Sequence, residues 1–216
     1  MSIETRSLSL KQILKIGFIA CLTLFATPLK AGEEAAQSLS AILNHYQTLK
    51  GDFEQKTLDS TGKLVESTQG EIAFQRPDLF RWYTSKPTKQ LILNQGNKLA
   101  IYDVDLEQVT YKNVDEQYGA TPALLLSGNL DKLKQQYNIA VCPNSTDTCY
   151  QLLAKDDNDV FKRLTLLFKN DILNMMVIDN NLDQTTLIRF KNIDINAPLP
   201  HSLFALDLPA GVDVVQ

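Results

Sequence analysis

Two guanidinium groups, Arg76 and Arg81, lie in the stretch GEIAFQRPDLFRWYTSKP (Gly70 to Pro87), beside Phe74, Phe80 and the single tryptophan of the chain, Trp82. Such a cluster can line an apolar cavity, present fixed donors to carbonyls or carboxylates, or fill an ordinary core. Alternation along a strand puts Arg76 on the face of Ile72 and Phe74, so its guanidinium points where the apolar side chains point. A charge placed there is costly unless oxygen acceptors meet its donors.

Groups that would make an enzyme do not converge. The sequence holds no G-x-S-x-G elbow, H-E-x-x-H helix, glycine-rich phosphate loop or paired C-x-x-C. His45 falls on the polar side of a helical segment and His201 in a proline-flanked bend. Asp103, Asp105 and Glu107 alternate as calcium ligands do, but the glycine an EF-hand loop needs is missing, and a strand-to-strand turn accounts for them. Asp156, Asp157 and Asp159 read as a solvated hairpin tip. No catalytic residue, metal site or cofactor is expected.

The N-terminus carries Arg6, Lys11 and Lys15, then the apolar run Ile16 to Phe25, then Thr27-Pro28-Leu29-Lys30-Ala31, the pattern of a secretory signal peptide. The apolar run falls short of the ~20 residues of a membrane-spanning helix. Residues 1–31 are therefore expected to be cleaved, leaving residues 32–216 as one exported, soluble domain. Phe18 to Cys21 has some character of a lipid-attachment box, but the apolar run continues past Cys21 to Phe25. Removing residues 1–31 takes four basic and one acidic residue from totals of 21 and 25, leaving 17 against 24. That balance argues against nucleic acid and anionic lipid as partners. Cys142 and Cys149 remain as an even pair around the turn-forming PNSTDT, and in an oxidising compartment a disulfide is expected. A metal pair or two free thiols are the other readings.

The elements that must position these residues follow from periodicity. Leu39, Ile42, Leu43, Tyr46 and Leu49 recur at helical spacing, predicting one amphipathic helix over 35–50. From Gly51 the period becomes two, with strands predicted around Phe53, Glu71 to Gln75, Phe80 to Thr84, Gln90 to Asn94, Lys98 to Tyr102 and Glu107 to Lys112. Thr121 to Tyr137 breaks that rhythm, with Pro122 suited to a first helical turn, and predicts one or two short helices. Strands resume at Ile139, Tyr150, Phe161, Ile172, Gln184 and near Phe204 to Leu208. About eleven hairpin-linked strands, with helices at two places, predict an antiparallel sheet that curls around itself.

Five segments in order along the chain resemble the periplasmic outer-membrane lipoprotein carrier (LolA) family. They are Phe53-Glu54-Gln55, the R-P-x-x-F-R-W run from Arg76 to Trp82, Tyr102 to Val109, Thr121 to Leu126, and Pro209-Ala210-Gly211-Val212-Asp213. The resemblance implies an incomplete antiparallel β-barrel whose helical lid covers an apolar cavity for the acyl chains of lipoproteins. It implies an inner-membrane ATP-driven transporter as the source of cargo, an outer-membrane receptor as its destination, a periplasmic location and a monomer. Arg76 matches the family arginine that latches the lid, with Leu43, Leu126 and Ser127 the expected carbonyl partners. Ile72, Phe74, Phe80, Trp82, Leu91 and Leu93 are the expected cavity wall. The chain departs from the family pattern in its Cys142 and Cys149 hairpin, and in Leu206 where phenylalanine is common. A lipid-anchored outer-membrane receptor of the same fold, or a periplasmic hydrolase, are the alternative readings.

Overall fold

The computed structural model describes residues 28–113, 126, 130–157 and 159–215. Helix α1 (Pro28–Asn44) is followed by strands β1 (Thr48–Leu58), β2 (Leu64–Gln75), β3 (Leu79–Lys86), β4 (Gln90–Gln95), β5 (Lys98–Asp103) and β6 (Gln108–Asn113). A short helix α2 (Leu130–Gln136) leads into β7 (Tyr137–Val141), β8 (Thr148–Ala154), β9 (Phe161–Lys169), β10 (Ile172–Asn180) and β11 (Thr185–Ile195). A 3-10 turn (His201–Phe204) and β12 (Asp213–Val215) close the chain.

The helix starts earlier and stops sooner than the spacing predicts. Leu49 satisfies both periods, and the chain resolves the ambiguity by pairing it with Phe74 of β2 and Ile195 of β11. Its neighbour Tyr46 sits in the intervening turn, with its N–H bonded to the carbonyl of Leu43 at 3.2 Å.

The twelve strands form one sheet in the order β12-β6-β5-β4-β3-β2-β1-β11-β10-β9-β8-β7, open at β12 and β7. Neighbours are antiparallel throughout except at β12, which runs parallel to β6. This last strand corrects the prediction of a strand near Phe204 to Leu208. That segment instead crosses the outer face of the sheet, and β12 pairs only after Pro209 and Gly211 have turned the chain.

The inner, concave face carries the main core. Ala35, Leu39 and Leu43, four residues apart on α1, pack there against Phe53, Ile72, Phe74, Phe80, Trp82 and the apolar residues of β8 to β11. A smaller cluster lies on the outer face, where Leu206, Leu208 and Val212 cover Ala100, Tyr102 and Val109. Both faces of β4 and β5 are therefore apolar, which erases a clean alternation in their sequence.

Gly70 is required by the inner wall. A Cβ there would stand 1.8 Å from the Tyr83 carbonyl oxygen and 3.0 Å from Cε1 of Phe53. Its absence lets the Phe53 ring stack on Trp82, with centroids 3.7 Å apart and planes at 22°.

Candidate functional site

The inner wall is built in rows across the sheet, because residues directly opposite on antiparallel strands share a face. One row runs Leu49, Phe74, Phe80, Asn94, Leu99. The next runs Gly51, Ile72, Trp82, Ile92, Ile101. Ile72, Phe74, Phe80 and Trp82 thus lie together on the concave face, buried beneath the helical cover. Phe80 and Trp82 lie nearly parallel, 6.5 Å between centroids.

Leu91 and Leu93 are a correction. They pair with Tyr83 and Arg81 and so face outward, with Leu91 packed on the outer cluster and Leu93 lining an outer pocket beside Leu206 and Leu208. Ile92 takes the wall position beside Trp82. In the run LILN every residue but Leu91 is buried, so composition could not say which pair faces inward; the register with β3 decides it.

Arg76 immediately follows β2, and its N–H donates to the carbonyl of Gln47 at 2.9 Å. Its guanidinium turns over the Phe74 ring, 5.6 Å from the centroid. Nε donates to the Tyr46 carbonyl at 2.9 Å, and Nη2 to the carbonyls of Leu126 at 2.7 Å and Leu43 at 3.4 Å. Leu43 lies in the last turn of α1 and Tyr46 just beyond it, where backbone carbonyls lack helical partners and carry partial negative charge. Burial pulls the Arg76 guanidinium below its ordinary value, opposed by the nearby carboxylate of Asp78. Ser127 lies outside the described residues.

Arg81, five positions on, does something different. It points outward, pairs with Glu71 at 3.0 Å and stacks over Tyr83. The two guanidiniums of the RPDLFR segment therefore serve opposite faces of one sheet.

Two hydroxyls tie α1 and the turn after it to the far half of the sheet. Ser38 Oγ lies 2.6 Å from the Tyr150 hydroxyl. The Tyr46 hydroxyl donates to the Asp171 carbonyl and accepts from the Leu173 N–H at 3.2 Å. Burial pushes the Tyr46 phenol up to about 12, opposed by the hydrogen bond it accepts from the Leu173 N–H. Sequence reading placed Tyr46 only as an apolar helix position; its carbonyl and hydroxyl roles left no sequence signal. Between the start of α1 and the edge strand β7 opens a mostly apolar cleft of about 1080 Å³, lined by residues including Ala36, Ile139 and Val141.

Cys142 and Cys149 form a disulfide joining the ends of β7 and β8. His45 and His201 are exposed, and Asp103 to Glu107 form a turn in which Asp103 caps the Leu106 N–H. Among the described residues no group of three His, Cys, Asp or Glu side chains could hold a metal ion, and no helix is long and apolar enough to cross a membrane.

The family model described as outer membrane lipoprotein carrier protein LolA matches residues 44–207. The outer-membrane lipoprotein carrier protein of Pseudomonas aeruginosa (strain UCBPP-PA14) is 36% identical over 206 residues, spanning 95% of this chain and 99% of that protein. That of Pseudomonas fluorescens (strain Pf-5) is 38% identical over 178 residues, 82% and 86% of the two chains. An uncharacterized conserved protein from Thermus thermophilus shares the fold, with a TM-score of 0.52 at 12% identity over 83% of this chain and 99% of that one. Similarity along almost the whole chain, joined to the open sheet under its helical cover, makes this chain a member of the outer-membrane lipoprotein carrier (LolA) family.

Proposed function

We propose that this chain is a periplasmic carrier of lipoproteins, which shelters their acyl chains against the concave apolar face of the sheet. The observation that carries the reading is Arg76, whose donors meet carbonyls of α1, of the turn after it and of Leu126 above an aromatic wall. The described wall is apolar apart from Asn94, so it offers surface to hydrocarbon and no reacting groups. Carriage, with no chemical step, is what such a wall can do.

Energetics call for such a shelter. At ~0.8 kcal/mol per buried methylene, the three chains of a triacylated lipoprotein would cost tens of kcal/mol in water, so cargo moves by contact from one protein to the next. The carrier would accept it from an ATP-driven transporter of the inner membrane and deliver it to a receptor at the outer membrane. In the empty state Ala35, Leu39 and Leu43 of α1 occupy the wall, and the Arg76 latch, with the carbonyls of Leu43, Tyr46 and Leu126 as its partners, holds them there. Loading exchanges α1 for acyl chains and opens the latch. Residues 1–31 act as the export signal.

Purification from periplasm followed by mass spectrometry tests the reading. A triacylated lipoprotein should accompany the protein. Consistent recovery without acylated cargo, from cells making lipoproteins, would refute it.

A further inference from the structure

Asn94 is a buried amide, 3% exposed, and its Oδ1 has no hydrogen-bond partner. Its Nδ2 donates to the Asp78 carbonyl at 3.0 Å. A carbonyl can only accept, so the amide nitrogen must face Asp78 and the orphan atom is the oxygen. Both cross-strand neighbours of Asn94, Phe80 and Leu99, are fully buried members of the concave core, which places this acceptor on the inner wall. A buried carbonyl without a donor is unfavourable, and leucine in its place would remove the cost.

Its depth in the wall is informative. Asn94 is the penultimate residue of β4, beside the β2–β3 turn and in the same row as Phe74, the ring under Arg76. It therefore stands at the rim of the concave face, on the latch side, while Trp82 and Ile92 lie one row deeper. An amphiphile with its tails along Trp82 and Ile92 brings its polar linkage to this row. The lipid end of a triacylated cysteine holds two esters and a thioether, which offer acceptors, and one N-acyl amide, whose N–H is the donor.

We infer that Asn94 Oδ1 is the acceptor for the N-acyl amide N–H of the cargo's lipidated cysteine, so that the wall recognises the linkage as well as the tails. The inference rests on the carrier reading. In it, opening the cover exposes a waiting acceptor, and the cargo satisfies it.

The test uses the mature protein and two synthetic tripalmitoylated cysteinyl peptides, one with the natural N-acyl amide and one with that N–H replaced by an ester oxygen. Affinities are measured by competition with a fluorescent acyl probe for wild type and Asn94→Leu. The wild type should bind the ester form about five- to tenfold more weakly, the loss of one neutral hydrogen bond, and Asn94→Leu should bind both alike. Each protein is compared with itself across two ligands, so stability differences cancel. Asn94→Ala replaces the leucine variant should that one not fold. Equal penalties in wild type and variant, or no penalty in either, overturn the inference and leave the carrier reading intact. Failure of wild type to bind either peptide overturns both.

Discussion

The carbonyl oxygen of Leu126 lies 2.7 Å from Nη2 of Arg76, fifty positions earlier in the chain. The same nitrogen lies 3.4 Å from the carbonyl of Leu43 in α1. One planar fork, held at the end of β2, thus gathers two separated parts of the cover over the aromatic wall.

Replacing Arg76 separates closing from loading. Arg76→Leu removes the donors and adds apolar surface, shifting the balance between closed and loaded states toward the loaded by about 1 to 3 kcal/mol. Loading from inner-membrane vesicles should persist while transfer to the receptor slows, with lipoprotein accumulating on the soluble carrier. Arg76→Lys keeps the charge without the fork and should restore delivery in part. A two-stage transfer assay measures both steps; a variant that loses loading but delivers normally contradicts the latch.

The wall can be tested at Phe80, which is fully buried opposite Phe74 and Asn94. Phe80→Glu puts a carboxylate among apolar groups with no cation provided, and lowers stability by about 3 kcal/mol or more. Phe80→Leu is milder but also destabilising. Loading should vanish in the first and survive in the second. If both load as wild type does, Phe80 serves the core alone.

The Tyr46 hydroxyl bonds both the Asp171 carbonyl and the Leu173 N–H. Tyr46→Phe leaves that N–H without its partner and should cost about 1 to 2 kcal/mol. The pH response gives a second readout. The folded phenol sits at about 12 against an ordinary 10.0, so the unfolded chain releases its proton first. This contribution is whole below pH 10 and is lost as pH rises toward 12. Denaturant melts of the phenylalanine variant should therefore fall less steeply over that window; equal slopes would remove Tyr46 as the cause.

The disulfide closes the β7–β8 hairpin across a separation of seven residues. A loop so short yields about 2 kcal/mol, so Cys142→Ser with Cys149→Ser should lower Tm by about 4 to 8 °C. Intact mass before and after reduction should differ by two hydrogens. Loading should be unchanged, since the bridge lies at the sheet's edge and Arg76 on another part of the sheet.

How much was legible in the sequence varied with how local the cause was. Strands from β1 to β11, most turns and the helical spacing of Leu39 and Leu43 follow from periodicity, which is a property of neighbours in the chain. Arg76 stood out because a charge fell on an apolar face. Where two periods fit the same residues, as at Leu49, or where both faces of a strand are covered, as at Leu91 to Asn94, the pattern was silent. β12 was missed because its three residues are exposed and its pairing with β6 depends on a crossing segment over the outer face.

The sequence by itself determined the element types, the apolar wall of Ile72, Phe74, Phe80 and Trp82, and the need for Arg76 to find oxygen acceptors. Those consequences flow from side-chain period and from the cost of burying an unmet charge. Only the tertiary structure decided which carbonyls answer Arg76, that Ile92 and not Leu91 or Leu93 faces the wall, and that Asn94 stands at its rim with an unmet oxygen. Each depends on register between strands or contact between distant segments, and a shift of one residue, invisible in composition, would turn every one of those side chains to the other face.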